Sequence, residues 1–425
     1  MNDHLTVNLG IRSETVDSQA TGNIVGVDTS TVVPRLGLAF DPRGDGRYTI
    51  QSTYSHYSGK YNDAQFLQNS NVGNPDFYTG PPGQGREFAP GFDPNNSVTV
   101  FGLFPVRTVS FNDDLHSPLT KEFTFSGGSQ LGPRGYAKVT YINRRARDFI
   151  EDFFTVEGGS TEVVQDGQNF GTFTNQVFRN TELLNRVYDA LEVQTRYQVT
   201  DSFMVDGSYT VQLKNEGSFE GEATNQPALS SAAFDFPEIT PAGRYFPTGR
   251  LDEFQRHKLR VWGIYNLALG GYGQVDIGGL WRVNSGLAHS LQSSRVAVNA
   301  TQQSLVDAAG YVSGPSPRTI YYGGGRGSES FKGYGLFDLS INYDIPIWGS
   351  LRPWIKAEIY NLFSNDKQIS FNTSVRPDTS GPVDELGIPT TFVEGARFAR
   401  RPRRTTIRNI CRTWTVCECS SWRSG

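Results

Sequence analysis

The side chains that could do chemistry are scattered along this chain and are not gathered at catalytic spacings. His4, His56, His116, His257 and His289 include no i,i+4 pair and no HExxH zinc motif, so their spacing points to surface or interior polar roles. No G-x-S-x-G segment occurs, which removes support for a serine hydrolase built on a nucleophile elbow. Gly323-Gly324-Gly325-Arg326-Gly327 has the composition of a phosphate loop, but it follows no buried strand and opens no helix. A flexible external loop accounts for it better. Cys411, Cys417 and Cys419 match no zinc spacing and have no fourth ligand at hand. The triplet Arg43-Gly44-Asp45 lies where a turn requires small polar residues anyway. No catalytic, cofactor-binding or metal site is therefore expected, and no enzyme activity or cofactor; the ligand-binding residues stay unassigned.

A different chemistry is written in residues that recur at every second position. Glu192, Arg196, Asp206, Lys258, Arg260, Asp276, Arg282, Lys356 and Glu358 share one register of their segments and could line a polar path for a solute. Charges facing one another in an interior can equally pair or contact a plug, and because enclosed charges usually need partners the structural role is favoured. The opposite register is apolar. Phe203, Val205, Gly207, Tyr209, Val211 and Leu213 alternate with Met204, Asp206, Ser208, Thr210 and Gln212, and the same split recurs in 274–284 and 337–345. Successive strand side chains point to opposite faces, so each segment is an amphipathic strand. Tyr209, Tyr265, Trp281 and Tyr343 fall on the apolar register, as an interfacial aromatic girdle would.

Composition agrees. Hydrophobic residues make up only 37% of the 425 and aromatics 12%, which suits a sheet with one polar face better than a thick globular core. No apolar run approaches the roughly 18 residues of a membrane helix, so a membrane span would have to be made of strands. A mean hydropathy of -0.43 does not exclude that, because half of each such strand is polar.

Eleven strands are expected, near 5–12, 35–41, 47–57, 121–130, 136–147, 186–199, 203–214, 256–269, 273–285, 335–347 and 351–363. A polar connection is expected over 13–33, and a Gly-, Pro- and Asn-rich stretch from Ser58 to about Ser117 shows no sustained period. Short turns at Asp41–Gly46, Leu131–Gly135, Thr200–Ser202, Gly270–Gly271 and Trp348–Ser350 alternate with long loops. The pattern predicts an all-β, antiparallel transmembrane barrel, partial at about 11–12 strands, with turns in the periplasm and loops outside the cell. The start MNDHLTVNLG lacks a basic, apolar secretory leader and leads straight into a strand. The chain is accordingly expected to begin inside a domain, with Met1 an internal methionine.

Residues 1–398 form the expected barrel domain, and 399–425 change character abruptly, holding all three cysteines and seven arginines. Read from the third base of each codon, permitted codons for Thr406 onward spell YPQYLPDLDGLRMFELAVG, whose end alternates like a barrel strand. A frameshift near Arg400 and a non-native tail are expected. Without the tail's arginines and Glu418 the formal charge falls from -4 to -10, so nucleic acid is not an expected partner.

Several segments resemble the C-terminal barrel of TonB-dependent outer-membrane receptors, in the subgroup called Oar-like. They are LTVNLGIRSE, PRLGLAFDPRGDGRYTIQSTYSHY, YDALEVQTRYQVTDSFMVDGSYTV, DEFQRHKLRVWGIYNLALGGYGQVDIGGLWRVNSG and GLFDLSINYDIPIWGSLRPWIKAEIYNLFSN, in family order. The resemblance implies a barrel of about 22 strands filled by an N-terminal plug. It implies as partners outer-membrane lipid, the plug, an inner-membrane energy-transducing complex and a solute. This chain lacks the plug and about half the strands, so it is expected to be a fragment in which transport is incomplete. Competing readings are a passive pore or adhesion platform, and a soluble all-β carbohydrate-active protein that would need no detergent.

Overall fold

The computed structural model describes residues 4–20, 24–59, 77–79, 98–101, 109–165, 168–218, 233–347, 353–367, 369–400 and 412–417. Twelve strands lie side by side in chain order as one antiparallel meander. They are β1 (Leu5–Ala20), β2 (Ile24–Phe40), β3 (Tyr48–Ser58), β4 (Leu119–Gln130), β5 (Gly135–Arg147), β6 (Arg186–Thr200), β7 (Phe203–Gly217), β8 (His257–Ala268), β9 (Gln274–Asn284), β10 (Tyr334–Asp344), β11 (Trp354–Ile359) and β12 (Arg412–Cys417). The two-residue strand Gly249–Arg250 pairs off β7. Among the described residues β1 pairs only with β2 and β12 only with β11, so the sheet has two edges and is a partial barrel. No helix of the described residues is long and apolar enough to cross a membrane.

The alternation read from the sequence becomes continuous ladders across the sheet. Val193, Tyr209, Leu259 and Val283 are successive register partners through β6, β7, β8 and β9, and Tyr265, Ile277, Ile341 and Ala357 through β8, β9, β10 and β11. These apolar side chains face outward: Trp281 is 49% exposed and Tyr265 41%, values that in water would mark a defect and in lipid mark the bilayer-facing side. The Trp281–Phe337 and Val275–Tyr343 pairs stand six residues apart on β9, roughly 20 Å along the strand, which separates two aromatic levels. Gly273 closes the β8–β9 turn at φ +100°, where a Cβ would lie 2.0 Å from the Asp344 carbonyl oxygen, so no other residue fits.

Two expectations are corrected. The supposed polar connection over 13–33 is strand: β1 and β2 run in register from Leu5–Phe40 to Ala20–Ile24, with one shift at Ser18/Gln19. These arms extend beyond the roughly 9–11 residues a tilted strand needs to cross a bilayer. The residue types there do not alternate between apolar and polar, while β-branched Thr15, Val16, Thr29, Thr31, Val32 and Val33 keep the chain extended. The tail, in which no period was expected, supplies β12, whose Trp414 and Val416 are register partners of Ala357 and Ile355. The expected turn 348–350, and Cys411 and Cys419, lie outside the described residues.

The dry core lies in the loops beyond the sheet. Phe149, Leu184, Leu251, Ile320, Tyr322 and Ile388, from four different connections, form its main cluster with Ala146 at the end of β5. A second cluster joins Leu115, Ile150 and Phe178, with Val16 of the β1 arm packed on it. The one-turn helix α1 (Ala242–Tyr245) and the ten-residue helix α2 (Ala300–Ala309) belong to this layer. Helix α2 opens on a capping box between Asn299 and Gln302 and ends at Gly310 in the left-handed region.

Ile341→Arg places a guanidinium in the outward ladder and is expected to cost about 2–4 kcal/mol, whereas Ser340→Arg, one residue along on the polar face, should cost less than about 1 kcal/mol. Urea unfolding from lipid vesicles separates the two, and equal costs would reverse the assignment of faces.

Candidate functional site: a charged wall beneath a packed loop layer

The polar register forms a wall of linked charges. Arg196 Nε donates to Asp206 Oδ1 at 2.7 Å across the β6–β7 seam, as their shared register position requires. Lys356 Nζ reaches Glu358 Oε1 at 2.7 Å along β11. Arg282 pairs across β9–β10 with Asp338 at 2.5 Å, and Asp338 also accepts the Asn361 backbone N–H at 2.8 Å. Asp276 accepts from Asn266 and Gln274, and Arg260 donates to Asn284 at 2.6 Å. The side chains of Glu192 and Lys258 make no hydrogen bond or ion pair with other described residues. Thus four of the nine charges named from the sequence pair with one another, and Arg282 pairs with Asp338 instead. One pair on this face went unnamed, Arg144–Glu122, because it depends on a β4–β5 register that no single segment encodes; Arg145–Asp189 pairs on the opposite register.

The histidines are dispersed. His4 meets the Asp41 carbonyl, His56 bonds the Tyr54 hydroxyl, and His257 bonds Tyr209. His289 is buried in the loop layer, stacked on Phe331 with ring centroids 4.2 Å apart, and burial pushes its pKa down. Among the described residues no three His, Cys, Asp or Glu side chains converge as a metal site would. At Arg43-Gly44-Asp45 the Asp41 carboxylate accepts the Arg43 and Gly46 N–H groups, so these residues build the turn. The stretch 323–327 is part of the packed layer and not a flexible loop: Arg326 is 3% exposed, its guanidinium bonds the Tyr321 hydroxyl, and the Gly327 N–H donates to Ser290 Oγ. Glycines at φ 65°, 95° and 97° let the chain turn tightly there.

Two hollows open on this arrangement. On the wall, where β3 to β8 approach the loops, a 710 Å³ recess is lined by Tyr57, Glu122, Arg144, Tyr188, Glu253 and Lys258. Within the loop layer a 750 Å³ cleft lies between the rings of Phe234, Phe246, Tyr321 and Tyr322, and among the described residues Arg244 is the one charged residue lining it. Arg244 is held by Asp384 at 3.3 Å, by the Pro389 carbonyl at 2.7 Å and over the Tyr322 ring at 5.1 Å. Such a cleft, apolar with one fixed cation, binds by shape and charge. The sequence signals missed were Arg244 and the paired tyrosines, which show no period and meet only through the folding of separate loops.

A family model described as "outer membrane beta barrel domain" matches residues 1–386, and the chain belongs to that family. No curated protein matches the sequence. Among solved structures the chain is similar to the outer membrane transporter YddB of Escherichia coli (11% identity, 87% of this chain and 40% of that one, TM-score 0.48). It is also similar to the siderophore receptor PirA of Acinetobacter baumannii (12%, 93% and 42%, 0.47) and the FrpB iron transporter of Neisseria meningitidis (11%, 87% and 41%, 0.48). The chain spans about two fifths of the length of these proteins.

Arg282→Ala leaves the Asp338 carboxylate without its cation and should destabilise the sheet by about 1–2 kcal/mol, less than a fully buried pair because the guanidinium is partly exposed. Adding Asp338→Asn is expected to recover part of the loss in thermal unfolding from detergent micelles. A double variant no more stable than the single one would show that the charge is not the cause.

Proposed function

We propose that this chain is the barrel portion of a TonB-dependent outer-membrane receptor of the Oar-like subgroup, whose outer loops capture a solute for active import by the intact receptor. The observation that carries this reading is the asymmetry of the sheet. Short turns occupy one end, while at the other the long connections fold into a layer with its own core and a 750 Å³ cleft. A built binding layer serves capture, and the paired wall below offers contacts to a plug domain. The open edges of the sheet, at β1 and beyond β11, leave room for the further strands of a larger barrel. The work is binding and gating, not bond-making, and an inner-membrane energy-transducing complex acts on the intact receptor. We infer also that residues 399–425 arise from a frameshift; the change of composition after Phe398, and a family match that ends at 386, support this. The coding DNA tests it directly, since codons incompatible with the second reading would end the idea.

Reconstitution into liposomes distinguishes the receptor from a passive pore. Silence in conductance, with solute retained by the loop layer, is the expected result. A steady open channel would replace the receptor reading with the passive one. Arg244→Gln, which removes the cleft's fixed cation, should weaken retention of anionic solutes about tenfold while leaving the sheet intact.

A further inference from the structure

A strand face that looks onto hydrocarbon should carry no charge, and from the short turns upward the outward register of β4, β5, β6 and β7 carries none. At the loop ends of these strands the same register turns basic. Lys121 of β4, Arg145 and Arg147 of β5 and Lys214 of β7 stand on it, with the carboxylates of Asp189 on β6 and Glu216 on β7. Lys121, Arg145, Asp189 and Lys214 lie nine to eleven residues from the turn ends of their strands. At about 3.3 Å per residue and a tilt near 40°, that is roughly 25 Å along the membrane normal, the height of the apolar band. The patch therefore stands at the level of the outer headgroups.

Its own residues leave it short of negative charge. Lys121 and Arg145 are direct register partners, an arrangement in which like charges repel across the seam. The Asp189 carboxylate is occupied by Arg145 at 3.3 Å and by Asn143 Nδ2. Glu216 has Val187 and Arg250 as its register neighbours, so it does not offset the cations of β4 and β5. On the other flank His56 of β3, the register partner of Lys121, bonds the Tyr54 hydroxyl at 2.8 Å. The side chains of Lys121, Arg147 and Lys214 make no hydrogen bond or ion pair with other described residues.

We propose that the loop ends of β4 to β7 form a binding site for a phosphorylated lipid headgroup of the outer leaflet. Phosphate oxygens placed among Lys121, Arg145, Arg147 and Lys214 supply the missing counter-charge and remove the repulsion across the β4–β5 seam. Directly below, Phe125, Tyr141, Leu191 and Val211 are successive register partners and give the acyl chains an apolar strip. A soluble anion would leave that strip uncovered, which favours a lipid as the occupant. General snorkelling of cations around the rim does not account for the cluster. At the matching height on β8, β9 and β10 the outward register holds Leu259, Val283 and Gly335, successive partners without charge. The site is on the outside of the sheet, apart from the cleft and the interior wall, and it holds whether or not the loops capture a solute.

Native mass spectrometry of the full chain in uncharged detergent micelles, titrated with a bisphosphorylated glycolipid and with the same lipid stripped of its phosphates, tests the site. The phosphorylated lipid is expected to be retained about tenfold more tightly or better. Lys121→Gln combined with Lys214→Gln should remove most of that preference, about fivefold for each cation lost. Lys138→Gln removes an equal charge from the polar face, where Lys138 Nζ donates to Gln51 at 3.0 Å, and should leave retention unchanged. Equal retention of the two lipids, a double variant that binds as the wild type does, or an equal loss in Lys138→Gln overturns the proposal. Inorganic phosphate at the concentration of the lipid should not displace it; displacement would assign the patch to a free oxyanion and overturn lipid binding. Should the double variant fail to fold, Lys214→Gln alone, at an exposed position, decides. A loss of about fivefold then supports the site and unchanged retention overturns it. The loop cleft takes no part in this readout, so a failed lipid site and a failed receptor reading are told apart.

Discussion

The need to pair every backbone N–H and C=O without water governs this molecule. In hydrocarbon an unpaired amide costs several kcal/mol, and strands can meet the need only by bonding to neighbours on both sides. The meander satisfies it across the eleven seams between β1 and β12, which fixes the rest of the sheet's character. Chain order equals spatial order, so turns and loops alternate between the two ends. The register joins Val193 to Tyr209 to Leu259 to Val283 as a continuous apolar strip, and the same register forces Arg196 against Asp206 on the other side. Lipid-facing ladders and paired charges are two consequences of one hydrogen-bond pattern.

That pattern was legible wherever a segment crosses the bilayer, because two solvents on two faces impress a period of two on the sequence. All eleven expected strands are present, and the named charges Arg196, Asp206, Lys356 and Glu358 pair as expected. Legibility fails where residue type does not separate the two faces. The arms of β1 and β2 beyond Arg12 and before Pro34 carry no alternation, so only β-branched residues marked them. In the loops, contacts join residues distant in the chain: Gln302 Nε2 bonds the Ile239 carbonyl and the Tyr245 hydroxyl, and Arg244 meets Asp384 and Pro389. No window of sequence displays such pairs. The helix α2 is the exception that carried a readable signal, Asn299-x-x-Gln302 before it and Gly310 after it, of the kind that marks helix ends anywhere.

Stability and function are accordingly divided between two regions with opposite packing. The sheet keeps its apolar residues outside and depends on its surroundings to cover them. The loop layer keeps Phe149, Leu251 and Ile320 dry and holds its own shape. A rigid sheet carrying a separately folded cap can vary its cap without disturbing backbone pairing below, which is how one barrel pattern can serve different solutes.

The two regions are nevertheless joined by specific bonds at the upper end of the wall. Arg186, the first residue of β6, pairs with Glu253 of the β7–β8 loop, Asn215 of β7 donates to the same carboxylate at 3.3 Å, and the Leu251 N–H donates to the Asn215 carbonyl at 3.0 Å. Leu251 is fully buried in the main cluster that also holds Phe246, a ring of the cleft. Glu253, Arg186 and Asn215 in turn line the recess in the wall. A rearrangement in the cleft therefore has a short covalent and hydrogen-bonded route, from Phe246 through Leu251 and Glu253, to the charges that face the interior. Several of those charges are paired, with Asp206, Glu122 and Asp338 the more enclosed partners, so displacing one cation leaves an enclosed carboxylate uncompensated. The loop layer above and the polar surface below are thus joined through residues 246–253.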